Sequence, residues 1–253
     1  MRTSDQARAI ALPLFAGVSA RTLRELFAGA FLQRFPGGTT LLTEGDPVDF
    51  LYVLMEGMVE LQGAWKHRET TLAVLQPVST FNLGAVVLDS HTLATARTIE
   101  RSEILMLPGE ALRRAMKADA DFCFAVTVEL AATMSGMVRA TKNQKLRGGA
   151  ERLANYLLAQ CQRQGGVDRI SLPYEKRLLS SLLGMTPETL SRAFVTLGRL
   201  GVAVKGPEVT LSRTVAFERF ARPTSLIDNH LPLPGRATGK VEREQGRSAA
   251  SAR

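Results

Sequence analysis

The chain is poor in the side chains that bind metals and form disulfides. Its 253 residues include two cysteines, Cys123 and Cys161, and three histidines, His67, His91 and His230. There is no CxxC, no disulfide framework and no His/Cys/Asp cluster with metal spacing, and a reducing, intracellular setting is the simplest reading. Each cysteine sits in an amphipathic helical context and reads as a small buried apolar residue, with a redox-sensing Cys123 as the alternative. No apolar run approaches the roughly 18 residues that span a bilayer. The first twenty residues carry Asp5, Pro13 and Gly17 and make a poor signal peptide. A phosphate-cradling glycine loop and a nucleophile elbow are also missing, so the chain is expected not to be an enzyme.

What is present is charge, unevenly placed. Through Arg147 there are 16 Lys+Arg against 15 Asp+Glu; from Gly148 onward there are 16 against 9. A nearly neutral half followed by a basic half suits contact with phosphate, although a basic tail contributes part of the excess.

The basic half contains the stretch that organises the chain. Leu178, Leu179, Leu182 and Leu183 have helical spacing and stop at Gly184. Thr186 then reads as an N-cap and Pro187 as the first residue of a new helix. Two short helices joined by a glycine-containing turn form a helix-turn-helix pattern. In the second helix Leu190, Ala193, Phe194 and Leu197 should face inward, and Glu188, Ser191, Arg192, Thr196 and Arg199 outward. The guanidinium fork of Arg can bond O6 and N7 of guanine. Glu can accept from N4 of cytosine, and Ser can bond either kind of base edge. The same polar face would also serve as an ordinary solvated surface. Residues 201–211 read as a hairpin with its tip at Lys205–Gly206–Pro207, a wing that places Lys205 for a phosphate contact.

The rest of the chain reads in order as residues 1–30, a helical entry with Ser19 as N-cap; 31–118, short strands punctuated by turns; 119–147, one long helix; 148–222, the winged helix-turn-helix; and 223–253, a tail rich in Pro, Gly and Ser without periodicity, expected to be disordered. Phe50–Leu54 followed by Met58–Leu61 looks like a hairpin. A closed roll of such strands can enclose a ligand or be filled by its own side chains. The long helix carries Val126, Leu130, Met134, Met137 and Thr141 on one stripe and Phe124, Val128, Ala131 and Val138 on another. Two stripes suggest two packing partners, the strand domain and the same helix of a second subunit, with a single wide core face as the alternative. The first stripe is the expected dimer seam. Gly148–Gly149 is a natural hinge.

This α+β order of β-roll, long helix and winged helix-turn-helix resembles the Crp/Fnr superfamily of bacterial transcription regulators. The resemblance covers residues 10 to 222. It is carried by ERLANYLLAQ, by LPYEKRLLSSLLGMTPETLSRAFVTLGRLGVAVKG and by FPGGTTLLTEGDPVDFLYVLMEGMVEL. It implies a cyclic-nucleotide-binding-like roll, a homodimer joined by the long helix, DNA and RNA polymerase as partners, no membrane, and a cytoplasmic location. Glu188, Ser191 and Arg192 stand as Glu-x-x-Ser-Arg, which is similar to the Fnr branch. It implies inverted TTG/CAA half-sites with Arg192 on guanine, Glu188 on the paired cytosine and Ser191 near a thymine. Thr186, Pro187, Thr196, Arg199 and Lys205 complete the expected DNA contacts.

Departures from family patterns bear on the effector. Members that bind cyclic AMP carry a Glu and an Arg–Ser pair where this chain has Phe81–Asn82–Leu83–Gly84 and Thr92–Leu93. A phosphate buried without its cation is costly, so no cyclic nucleotide is expected, and Asn82, Leu83 and Thr92 mark the pocket position. The N-terminal run of cysteines that holds an iron–sulfur cluster in oxygen-sensing members is absent. The run from Pro187 to Arg192 is similar to that of the nitric-oxide-responsive Dnr/Nnr regulators of denitrification. Haem is a cofactor candidate there, and His67 and His91 would be the candidate ligands. Sensing of redox state or of another small ligand, and constitutive DNA binding set by abundance, are the alternatives.

Overall fold

The computed structural model describes residues 3–173, 175–212 and 214–228. Three helices or turns lead in: α1 (Thr3–Ile10), a 3₁₀ turn (Pro13–Phe15) and α2 (Ala20–Ala28). Ser19 caps α2 as expected, its hydroxyl accepting from the Thr22 N–H at 3.2 Å. The roll follows with β1 (Phe31–Phe35), β2 (Thr40–Leu42), β3 (Phe50–Glu56), β4 (Val59–Trp65), β5 (Arg68–Leu75), β6 (Ser79–Phe81), α3 (Leu83–Leu88), β7 (Thr95–Thr98) and β8 (Ser102–Pro108). It ends in α4 (Gly109–Ala118) and the long α5 (Ala120–Leu146). The C-terminal unit comprises α6 (Gly149–Arg163), β9 (Arg169–Ser171), α7 (Lys176–Leu182), α8 (Pro187–Gly198), β10 (Val202–Lys205), β11 (Glu208–Leu211) and α9 (Val215–Ala221).

The roll is two antiparallel four-stranded sheets, ordered β1-β8-β3-β6 and β2-β7-β4-β5. In β3 the two-residue period separates two cores. Tyr52 and Leu54 point between the sheets, where they meet Val59, Phe81, Ala96 and Ile104. Leu51 and Val53 point the other way, onto a layer of helices that includes Phe15, Leu26, Leu112 and Phe122. Tyr52 stacks on Phe81 with ring centroids 5.1 Å apart, so aromatic side chains fill this part of the roll.

β3 and β4 do not form the expected hairpin, because they lie in different sheets. The chain turns the corner at Gly57 with φ +89°, and a Cβ there would meet the Arg101 carbonyl at 2.6 Å and the Ser102 hydroxyl. Alternating hydrophobics on both strands looked like partners, but this corner sends them to opposite layers. The hairpin is β4–β5 instead, closed by the Trp65–Arg68 pair.

The long helix begins at an Asp119 cap that accepts from the Phe122 N–H at 3.1 Å. By length and composition it is, among the described residues, the one helix apolar enough to cross a bilayer, with a mean hydropathy of 1.3 over its best 18 residues. That run escaped notice because Thr, Ser and Glu129 interrupt it.

Candidate nucleic-acid interface

The C-terminal unit folds around its own core. Leu153, Leu157, Leu179, Leu190, Leu197, Val209, Leu211 and Phe217 are all buried in it. Its three-stranded sheet is ordered β10-β11-β9, and Lys205 pairs with Glu208 across the Gly206–Pro207 tip. Gly184 turns the chain between α7 and α8 with φ +60°, the left-handed region that glycine enters without strain. The side chain of Gln144, from the end of α5, packs on the bare Cα side of this glycine.

Helix α8 starts as its sequence indicates. The Thr186 hydroxyl accepts from the Thr189 N–H at 3.2 Å, and Pro187 is the first helical residue. Leu190, Ala193 and Leu197 are buried. Thr186, Pro187, Glu188, Ser191, Arg192, Thr196, Arg199 and Lys205 are all exposed, so every expected DNA-contacting side chain is free of its own subunit's core. The Ser191 hydroxyl donates to the Pro187 carbonyl at 2.9 Å, and Thr196 donates to the Arg192 carbonyl at 3.1 Å. The Glu188 carboxyl lies below the usual range, mainly through a hydrogen bond from Thr186, helped by its own backbone N–H and the nearby Arg192 guanidinium. At neutral pH it is therefore an acceptor only, as pairing with a cytosine amine requires.

A network missed in the sequence ties this unit to the long helix. Helix α5 ends at Leu146, Arg147 is extended, and Gly148 caps α6, so the helix break falls at Arg147–Gly148, one residue ahead of the expected Gly148–Gly149. Arg152 bridges the break. Its guanidinium donates to the carbonyls of Arg147 (2.8 Å), Leu183 (2.8 Å), Gly184 (3.2 Å) and Gln144 (3.3 Å). Arg147 in turn forms a two-pronged pair with Asp228, with Nη1–Oδ1 at 2.7 Å and Nη2–Oδ2 at 2.8 Å. Both side chains are 7% exposed. Residues 223–228 were expected to belong to the disordered tail; the structure instead docks them through this pair. A short polar segment without periodicity gives no sequence signal for such docking. The remainder of the expected tail, including His230, lies outside the described residues.

The roll touches the reading unit directly. The Thr71 N–H on the edge strand β5 donates to the Ser181 hydroxyl of α7 at 2.8 Å, and the Thr71 hydroxyl donates to the buried Glu60 carboxylate at 2.5 Å. Beside this contact lies a cavity of about 1010 Å³, lined among others by Glu60, Arg97, Arg177, Ser181 and Met185. On the other side of the roll the Thr80 hydroxyl donates to Glu129 of α5 at 2.7 Å.

The expected dimer stripe divides into two parts. Val126 is 0% exposed and, with Leu130 at its edge, packs on its own subunit's roll core. Val126 is therefore not free for a second copy, because this face of the first half of α5 lies against the roll, whereas Leu130 is only partly buried. Met134, Met137 and Thr141 lie beyond it and are exposed, as is the second stripe through Phe124, Val128 and Val138. Phe124 stands 71% exposed.

At the expected effector position Asn82 adopts a left-handed conformation ahead of α3, and Leu83 is buried. Thr92 is buried and donates to the Ala94 carbonyl at 3.0 Å. Leu93, at the position of the family's phosphate-side pair, is 84% exposed. His67 is exposed at the β4–β5 tip, and His91 is exposed in the loop before β7. An iron porphyrin needs an apolar pocket around its ligand, and neither ring is enclosed, so these two residues do not fit haem.

A strand roll feeding a long helix and then a winged helix-turn-helix defines a class of sensor-coupled DNA-binding proteins. Residues 32–119 match the cyclic nucleotide-binding domain family, and residues 151–220 match the Crp-like helix-turn-helix domain family. The chain is 24% identical over 219 residues to the CRP-like cAMP-activated global transcriptional regulator of Mycobacterium tuberculosis, covering 83% of this chain and 96% of that protein. It is 37% identical over 71 residues to the nitrogen fixation regulation protein FixK of Rhizobium meliloti, covering 27% of this chain and 34% of that protein. The structure of FixK2 from Bradyrhizobium japonicum has the same fold, with a TM-score of 0.68 and 19% identity over 77% of this chain and 98% of that one. The chain is a DNA-binding transcription regulator of the Crp/Fnr family.

Proposed function

We propose that the chain acts as a cytoplasmic homodimer that reads an inverted TTG/CAA repeat. One observation carries this: Glu188, Ser191 and Arg192 form an exposed face on a helix whose opposite side is buried. Recognition helices read with their N-terminal residues, which is where these three stand. Arg192 bonds guanine, Glu188 accepts from the paired cytosine, and Ser191 rotates from its own helix toward a thymine. The exposed face of α5 through Phe124, Val128, Met134 and Val138 supports pairing with a second copy, because a long apolar helix face left to water is unfavourable. That role also accounts for the hydropathy of α5 without a membrane.

The effector is not a cyclic nucleotide, since no cation stands at Thr92–Leu93 to pair a phosphate. The run from Pro187 to Arg192 supports a role among regulators of anaerobic, denitrification or nitric-oxide-response genes, with RNA polymerase as the partner at the promoter. An effector acts here only through unequal affinity for two placements of the reading unit about residues 147–148. A second reading, constitutive binding set by abundance, needs only that the recognition face be exposed without rearrangement of its own unit, as Glu188, Ser191 and Arg192 are. Selection of bound DNA from a random pool, run aerobically and then anaerobically with and without nitric oxide, tests both. An enriched TTG palindrome supports the reading, and enrichment that ignores nitric oxide supports constitutive binding. Recovery of unrelated or random sequences would overturn it.

A further inference from the structure

The β4–β5 hairpin ends in Trp65–Lys66–His67–Arg68, all exposed. Trp65 is the chain's single tryptophan and is 75% exposed, far more than packing for stability would leave. Lys66 holds a left-handed turn conformation at φ +56°, which fixes the tip. Among the described residues no carboxylate lies within ion-pair distance of Lys66 or Arg68. Glu69 lines the interdomain cavity, and Glu44 accepts from the Ala64 N–H at 2.9 Å, so neither carboxylate pairs with the two tip cations.

The location gives this tip a partner. Glu69, Thr70 and Thr71 line the same cavity as Gly184, Met185 and Pro187, and those three lead into the first turn of α8. Thr71 is bonded to Ser181, and Arg68 lies three residues further along the strand, about 10 Å at the usual rise. When the N-terminus of α8 enters a major groove, the turn before it lies at the edge of the duplex. A hairpin whose strand β5 lines that cavity and touches α7 can then reach the same backbone.

We propose that the β4–β5 tip is a second DNA contact, in which Lys66 and Arg68 neutralise phosphates beside the half-site and Trp65 lies against the sugar–phosphate edge. Charge complementarity favours duplex DNA over a protein partner. The proposal rests on α8 reading DNA, and the test separates the two.

The test compares the wild-type chain, Lys66→Ala/Arg68→Ala and Arg192→Ala on the selected palindrome across a salt series, with acrylamide quenching of Trp65 in each. Each phosphate contact adds roughly 0.9 to the salt slope, so removing two cations from each of two copies should lower it by about 2–4 and weaken binding at least about tenfold at moderate salt. Discrimination against scrambled DNA should survive in this double variant and be lost in Arg192→Ala. DNA should shield Trp65 in the wild type and not in the double variant. An unchanged salt slope with Trp65 equally quenched on and off DNA overturns the hairpin contact while leaving the α8 reading intact. Shielding that persists in the double variant means that Trp65 meets protein, which also overturns it. A wild-type chain without preference for the palindrome overturns both.

Discussion

Replacing Asp228 by Ala should destabilise the C-terminal unit far more than its place in the sequence suggests. The carboxylate holds Arg147 by two parallel bonds at 2.7 and 2.8 Å and also accepts from the Thr224 N–H at 2.7 Å. Both charged side chains are almost completely enclosed. Removing one member of a buried pair leaves the other desolvated, which costs about 3–5 kcal/mol. Arg147 keeps weaker bonds, to Asn143 at 3.2 Å and the Arg222 carbonyl at 3.3 Å, so the lower part of that range applies. The assay is equilibrium urea unfolding followed by far-UV circular dichroism. The variant should lose about 3 kcal/mol in the helical signal. Arg147→Met/Asp228→Leu should recover much of the loss, since replacing both charges by apolar groups removes the unpaired ion. A loss under about 1 kcal/mol in Asp228→Ala, the size of a surface pair, would refute the reasoning.

Other expectations follow from particular contacts. Gly57→Ala should cost about 2 kcal/mol or more in thermal or urea unfolding, because a Cβ at φ +89° is strained and meets the Arg101 carbonyl. The Asp119 carboxyl is held well below the usual carboxylate range, first by the Thr22 hydroxyl, then by the Phe122 N–H and Ser19. Its stabilising contribution is therefore complete above the unfolded value near about pH 4 and disappears as pH falls through the folded value. Asp119→Asn should flatten that acid limb in a pH series of melting curves. Phe124→Glu/Val128→Glu should shift the protein toward monomer in analytical ultracentrifugation while leaving each roll folded, because both side chains are exposed within one chain.

The reading unit was largely legible in the sequence because its signals are local. Thr186 and Pro187 mark a helix start, Gly184 marks a turn, and the spacing of Leu190, Ala193 and Leu197 marks a face. What escaped was long-range. Gly57 was visible as a turn residue, but nothing local says that β3 and β4 enter different sheets. Helix α1 lacks the apolar periodicity that would announce it, although Arg8 pairs with Glu103 at 2.9 Å across the roll. Arg152 and Asp228 look like ordinary surface charges until the fold brings carbonyls and Arg147 around them. The stripe on α5 misled because a straight helix can leave the roll halfway along, so one periodic face meets two environments.

The central claim is that three side chains at the start of α8 read base edges. Its most direct test is a binding titration of wild-type chain and Arg192→Ala against the TTG palindrome, a version changed only at the guanine pair, and scrambled DNA, all at one salt concentration. The wild type should prefer the palindrome, and Arg192→Ala should lose about 1–3 kcal/mol on it, with little further loss when the guanine pair is changed. Equal losses on the palindrome and on scrambled DNA would mean that Arg192 touches only phosphate, and would contradict the account.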